Sequence, residues 1–320
     1  MGSDGPVVET RELTKKYGSF LALDRLTLSV DRGQILGFIG PNGAGKTTTI
    51  KILVGLARPT GGTATVAGVN CVTEPRKVKR LIGYMPDTFG AYDNMRSGEY
   101  LDFFGAAFGL PRKARVKRID EVLEMAGATS FKDLYVESLS HGMKQRVAIA
   151  RTLLHDPAAL ILDEPANGLD PQARIEMRQL LLSLAERGKT LIVTSHILPE
   201  LARICHRVAI ITRGRLRALG TLEEIGRQLS AQRTMEVLLS RADDSTPAAT
   251  VVRRHVEPGA EVTPAAAESA VRFRTVKSDD DLAALLAALV AAGLSVTQFR
   301  EVQTDLEEAF MSVAREGEAA

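Results

Sequence analysis

Ile35-Leu36-Gly37-Phe38-Ile39-Gly40-Pro41-Asn42-Gly43-Ala44-Gly45-Lys46-Thr47-Thr48 runs from a short apolar stretch through a glycine-rich turn into residues suited to a helix start. From Gly40 on it matches GxxxxGK[ST], placed where that pattern works, after a predicted strand and opening a predicted helix. The glycines let the backbone curl so that successive N–H groups and the helix N-terminus face an anion. In this reading Gly40, Pro41, Asn42, Gly43, Ala44 and Gly45 wrap the phosphates of a nucleotide and Lys46 reaches the β- and γ-phosphates. Thr47 offers its hydroxyl to Mg²⁺, and Thr48 helps to hold the α-phosphate.

The surroundings carry the same fold. From Val7 to about Gly220, short β-branched runs alternate with longer helical patterns, as in an α/β domain around a mainly parallel sheet. Ile35 to Ile39, Ala159 to Leu162, Leu191 to Thr194 and Val208 to Ile211 read as strands buried on both faces, since each is nearly continuously apolar. Between about residues 88 and 154 the strand signals give way to helical periodicity at Tyr100 to Phe108, Arg115 to Ala126 and Gly142 to Leu154, a helical subdomain. The expected domains are therefore 1–220 and 221–320. In the second, Arg241 to Ser269 is rich in Ala, Pro, Thr and Asp and reads as a loop-rich connection. Strands at Met235 to Leu239, Ala270 to Val276 and Leu294 to Arg300, a helix at Asp279 to Ala292 and a last helix from Asp305 would make a small α+β module.

Leu160-Ile161-Leu162-Asp163-Glu164 is an apolar strand ending in two carboxylates, and open α/β sheets bind ligands at the carboxyl ends of their parallel strands. Asp163 would hold the magnesium and Glu164 would orient and deprotonate an attacking water. Phosphoryl transfer asks the protein mainly for in-line positioning and charge neutralisation.

Leu139-Ser140-His141-Gly142-Met143-Lys144-Gln145-Arg146, just ahead of that strand, resembles the signature sequence of ABC ATPases. Ser140 suits a helix N-cap, and the N–H groups around Gly142 would form a second anion site at a helix N-terminus. The resemblance implies a P-loop NTPase core using ATP and Mg²⁺, in which Ser140 and Gly142 dock on the γ-phosphate held by an opposite subunit in a head-to-tail dimer. By the same resemblance Tyr17 stacks on adenine, Asn167-Gly168-Leu169-Asp170 forms the loop between subunits, and His196 contacts the γ-phosphate as a catalytic residue beside Glu164 and Lys46. Asp87 ends the stretch Ile82-Gly83-Tyr84-Met85-Pro86 where the family usually carries Gln, and is placed with Thr47 and Asp163 around ATP and the metal. His141 replaces the first of the two usual signature glycines, but its backbone N–H remains, so dimerisation should survive. Thr88 to Asn94 would touch a membrane partner.

Composition narrows the alternatives. With 45% hydrophobic and 25% charged residues the chain can bury a real core, and a formal charge of +2 gives no electrostatic case for nucleic acid. Cys71 and Cys205 have no metal-ligand spacing and read as buried thiols. The start of the chain has no secretory pattern, and the stretch from Leu282 to Val296 is too short to span a bilayer, which points to a cytoplasmic protein. It would lie on the inner face of the cell membrane, with a separate permease supplying the path. The basic run from Arg112 to Arg118 reads as a solvated helix start or as a lipid-facing patch. Thr304-Asp305-Leu306-Glu307-Glu308-Ala309-Phe310 resembles the tail of drug- and antibiotic-exporting ABC ATPases, which implies an ABC-2-type exporter. An importer ATPase is the alternative, and a soluble ABC ATPase would carry tandem cassettes or a long coiled-coil insertion. A non-catalytic nucleotide sensor is motivated by Asp87 and His141, but Lys46, Asp163, Glu164 and His196 argue against it.

Overall fold

The computed structural model describes residues 5–88, 90, 94–195, 201, 203–229 and 233–302. They form two compact units, one up to Leu222 and one from Glu223.

The first unit contains two sheets. β1 (Val8–Tyr17), β2 (Phe20–Val30), β4 (Gly61–Val66) and β5 (Val69–Asn70) make an antiparallel sheet in the order β2-β1-β4-β5. Its companion takes β3 (Ile35–Ile39), β6 (Ile82–Met85), β7 (Ala159–Asp163), β8 (Thr190–Ser195), β9 (Arg207–Thr212) and β10 (Arg215–Gly220) in the order β10-β9-β3-β8-β7-β6. All its pairings are parallel except β9 with β10. Every residue of β3 and β8 is buried, as the continuous apolar runs require. The antiparallel sheet is an addition to the sequence reading.

Helix α1 (Lys46–Leu53) follows the glycine-rich turn and packs Ile50, Ile52 and Leu53 into the core that holds Phe38, Ile192 and Ala209. α2 (Pro75–Leu81) begins with a proline, whose missing N–H costs a first turn nothing. α3 (Ser97–Ala107), α4 (Arg112–Met125) and α5 (His141–Leu153) occupy the stretch read as helical. Arg115 on α4 holds Asp102 on α3 at 2.5 Å, and Arg118 donates to the carbonyls of Leu153 (2.7 Å) and Leu154 (3.2 Å) at the end of α5, where the helix dipole favours a cation. Two arginines of the basic run, Arg115 and Arg118, are thus engaged between helices, while Arg112, Lys113 and Lys117 are exposed at the start of α4. α6 (Pro171–Glu186) is capped by Asp170, whose carboxylate accepts from the Ala173 N–H at 2.9 Å.

α7 (Leu222–Leu229) lies at the division between the units. The second unit then runs β11 (Arg233–Leu239), α8 (Ser245–His255), β12 (Val262–Ala265), β13 (Ala270–Thr275), α9 (Asp279–Ala291), β14 (Val296–Val302). Its antiparallel sheet has the order β12-β13-β11-β14, the split βαβ arrangement of ferredoxin-like modules. This corrects the reading of Arg241 to Ser269 as a loop-rich connection. Ala248, Ala249 and Val252 give α8 a narrow buried face of small residues, and its Ser, Thr and Pro content hides the helical period. The expected helix from Asp305 and the Thr304–Phe310 pattern lie outside the described residues.

Candidate functional site

The glycine-rich turn leaves the carboxyl end of β3 at the middle of the parallel sheet and feeds α1. Gly45 has φ +111°, and a side chain there would stand 2.7 Å from Leu23 Cδ2 and 2.9 Å from the Ala22 carbonyl, so only glycine fits. At Gly40 an added Cβ would meet the Ile211 carbonyl oxygen at 2.3 Å. The loop is braced from β9 and β10, where Gly214 N–H donates to the Ala44 carbonyl at 2.8 Å. Lys46, 8% exposed, donates to the carbonyls of Gly40 and Pro41, the latter at 3.3 Å. Burial pulls its ammonium below the usual lysine range, against the opposing pull of Glu164 and Asp163.

Gly40 aside, the sequence-derived phosphate-loop residues from Pro41 to Thr48 line one cleft of about 500 Å³ together with Asp87, Asp163 and Glu164. Asp163 ends β7, and its Oδ1 accepts a hydrogen bond from the Thr194 hydroxyl at 2.6 Å. The same hydroxyl oxygen accepts from the Glu164 backbone N–H at 3.0 Å. Glu164 has φ +51°, the left-handed region that a residue with a β-carbon enters at a cost.

No group of three or more His, Cys, Asp and Glu suited to a metal occurs among the described residues. Mg²⁺ in a nucleotide site asks for no such cage, since one or two carboxylates and the phosphates bind the ion. Thr47, Asp87 and Asp163 place a hydroxyl and two carboxylates on the walls of the same cleft, hard oxygen donors that fit such an ion.

Other expected residues sit differently. Tyr17, 49% exposed at the end of β1, is not among the residues lining the cleft, and Lys15 Nζ lies 4.7 Å from its ring centroid. Phe20, its partner across the β1–β2 turn, does line the cleft. His196 lies outside the described residues. Ser140 caps α5, accepting from the Met143 N–H at 3.3 Å, and with His141, Gly142, Gly168 and Asp170 it lines a different cleft of about 330 Å³. Asn167 bridges the two regions: its side chain donates to Asp87 Oδ1 at 3.5 Å, its N–H to the Glu164 carbonyl at 3.0 Å, and its carbonyl meets His141 Nε2 at 2.9 Å. Phe20 and Thr194 escaped the sequence reading because neither belongs to a local motif. The parallel register that sets Thr194 opposite Asp163 was the one signal for the second.

A family model described as ABC transporter matches residues 23–167. The bacitracin transport ATP-binding protein BcrA of Bacillus licheniformis is 41% identical over 252 residues, 78% of this chain and 80% of that one. The linearmycin resistance ATP-binding protein LnrL of Bacillus subtilis (strain 168) is 31% identical over 307 residues, 96% of this chain and 98% of its own. A probable multidrug ABC transporter ATP-binding protein, YbhF of Escherichia coli (strain K12), is 40% identical over 222 residues, but the match spans only 38% of its length. Among solved structures, the dimeric post-hydrolysis state of the ATP-binding cassette MJ0796 bound to ADP and Pi aligns with TM-score 0.59 at 28% identity, covering 67% of this chain and 98% of that one. With a phosphate loop, paired carboxylates and a capped signature helix in place, the chain belongs to the ABC transporter family, among its ATP-binding subunits, the ABC ATPases.

Proposed function

We propose that this chain is the ATP-hydrolysing motor of an ABC-2-type exporter of drugs, antibiotics or other hydrophobic compounds. It works at the inner face of the cell membrane with a separate permease subunit. The observation that carries the reading is the convergence of Lys46, Thr47, Asp163 and Glu164 on one cleft around the phosphate loop. Lys46 and the loop N–H groups bind the β- and γ-phosphates of ATP, and Thr47, Asp163 and Asp87 would hold Mg²⁺. That ion supplies neutralisation of phosphate charge. Glu164 takes the proton of the attacking water, its carboxylate aimed by a backbone held at both its N–H and its carbonyl. His196 is retained as the γ-phosphate contact and Tyr17 as the adenine-stacking ring, now with Phe20 on the cleft wall.

A single copy leaves the hydrolytic site incomplete, because Ser140 and Gly142 line another cleft than the phosphate loop. A second ATPase subunit, identical or paired, brings its own signature helix to the bound ATP, head to tail. The dimeric MJ0796 cassette supports this arrangement. Among the described residues no helix is long and apolar enough to cross a membrane, so the transport path falls to the permease. Export rather than uptake draws on the drug and antibiotic names of BcrA and LnrL, the latter matching the C-terminal unit too. The permease would engage Thr88 to Asn94, of which residues 89 and 91–93 lie outside the described residues. In the strand before it Arg151 on α5 donates to the Tyr84 carbonyl (3.3 Å), and it also donates to the Tyr100 hydroxyl (3.0 Å), tying the signature helix to β6.

The test is Mg²⁺-dependent ATP hydrolysis by wild type and Glu164→Gln, with light scattering to follow mass. Turnover in the wild type and an ATP-stabilised dimer without turnover in the variant are expected. Unchanged hydrolysis in Glu164→Gln would remove Glu164 as the base.

A further inference from the structure

We infer that Thr194 is a positioning residue for both carboxylates of the hydrolytic centre, an inference that rests on the ATP-hydrolysis reading above. β7 and β8 run parallel with Asp163 directly opposite Thr194, in the middle of the six-stranded sheet. Thr194 is fully buried, so its hydroxyl has no water to turn to. A hydroxyl has one proton to give and lone pairs to accept with. Here the proton goes to Asp163 Oδ1 at 2.6 Å and a lone pair takes the Glu164 N–H at 3.0 Å. One atom therefore fixes the plane of the metal-facing carboxylate and, on the next residue, the backbone from which the base projects.

The second half matters because Glu164 sits at φ +51°. Left-handed geometry at a glutamate persists only when its surroundings over-determine it. Two hydrogen bonds do so, from the Glu164 N–H to Thr194 and from the Asn167 N–H to the Glu164 carbonyl at 3.0 Å. Without the Thr194 hydroxyl, Glu164 has a route back to ordinary β geometry, and its carboxylate would turn away from the water it must hold. Asp163 would keep its charge but lose a charge-assisted partner that orients it, as ligand carboxylates in metal sites are oriented by a neighbour.

The experiment compares wild type, Thr194→Val and Thr194→Ser in the full chain, measuring turnover and the binding of a fluorescent ATP analogue with Mg²⁺ and with a chelator. Val keeps the shape and removes the hydroxyl, whereas Ser keeps it. In Thr194→Val turnover should fall about tenfold or more, and the Mg²⁺ concentration for half-maximal nucleotide binding should rise about tenfold, the scale of a lost partner to a metal ligand. Affinity in chelator should stay within about twofold, and Ser should restore both quantities to within about threefold, since it keeps the charge-assisted bond. The inference is overturned by Thr194→Val with wild-type turnover and Mg²⁺ dependence. It is equally overturned if Thr194→Val weakens nucleotide binding alike with and without Mg²⁺, or if Ser fails as Val does, which would make Thr194 a packing residue. A wild type without turnover counts against the hydrolysis reading, while the Mg²⁺ dependence of binding still decides the role of Thr194.

Discussion

His141 Nε2 lies 2.9 Å from the main-chain carbonyl oxygen of Asn167, joining the first turn of the signature helix α5 to the loop that follows Glu164. A carbonyl only accepts, so the imidazole presents its N–H there. The departure of this chain from the family's glycine is therefore an added tether within one subunit. His141→Gly keeps the backbone N–H of the signature, and ATP-induced dimerisation should survive. Amide exchange at Asn167, Gly168 and Leu169 should become about two- to tenfold faster, the worth of one hydrogen bond. Unchanged exchange would mean that the contact does not restrain the loop.

The other departure meets the same residue from the opposite side, since Asn167 Nδ2 donates to Asp87 Oδ1 at 3.5 Å. Asp87→Gln retains an oxygen, as acceptor for Asn167 and as donor to Mg²⁺, and removes the charge. Basal turnover should fall by less than about tenfold, the scale of one solvated hydrogen bond. Stimulation by the permease subunit should change, because Asp87 follows the strand β6 that Arg151 ties to the signature helix. Complete loss of basal turnover would mean that hydrolysis needs the charge of Asp87 and not only its oxygen.

Lys46 donates to the carbonyls of Gly40 and Pro41 and so closes the loop as well as offering charge to phosphate. Lys46→Ala should weaken ATP binding by about one to two orders of magnitude, as expected for a charge-assisted contact. Lys46→Arg should not restore it, because a planar guanidinium cannot replace a compact ammonium in a buried position. Burial lowers the Lys46 pKa, so its proton is lost at a lower pH than from an ordinary lysine. The alkaline fall of kcat/KM, which reports free-enzyme groups, should begin below the usual lysine range. Undiminished affinity in Lys46→Ala would count against the phosphate-loop reading.

What was legible in the sequence was local. The phosphate loop, the Leu160–Glu164 strand end and the Ser140 cap are contiguous stretches whose residue types impose their own geometry. The strands β3, β7, β8 and β9 were legible as apolar runs because both faces are covered. β1 was not: its pairing with β2 shifts register three times between Thr10 and Lys16, which breaks the alternation that marks a half-buried strand. Thr194, Phe20 and the two contacts of Asn167 depend on which strands and loops become neighbours, and no local pattern encodes that. Of the two cysteines expected to be buried thiols, Cys71 is buried and Cys205 is only partly so. Burial pushes both up to about 12, and Cys205 Sγ fills the space beside Gly37.

The C-terminal unit carries a buried charge whose worth can be measured apart from the ATP site. Glu236 on β11, 3% exposed, faces Arg272 on β13 and Arg300 on β14 across the sheet. Its carboxylate accepts from Arg272 Nε at 2.8 Å and from Arg300 Nε and Nη2 at 2.9 and 2.6 Å. The Arg300 hydrogen bonds, aided by Arg272, hold its pKa below the ordinary value of 4.5 despite burial. A depressed folded pKa means that the stabilisation is full above the unfolded value and is lost as pH falls through the folded one. Glu236→Gln keeps the shape and removes the charge. It should cost about 1–3 kcal/mol at pH 7, towards the lower end because both arginines are half exposed and can turn to water. Calorimetry on the intact chain at pH 7 and at successively lower pH should show the deficit shrink below about pH 4.5, as the wild-type carboxylate takes up its proton. A deficit independent of pH would assign the loss to packing rather than to charge.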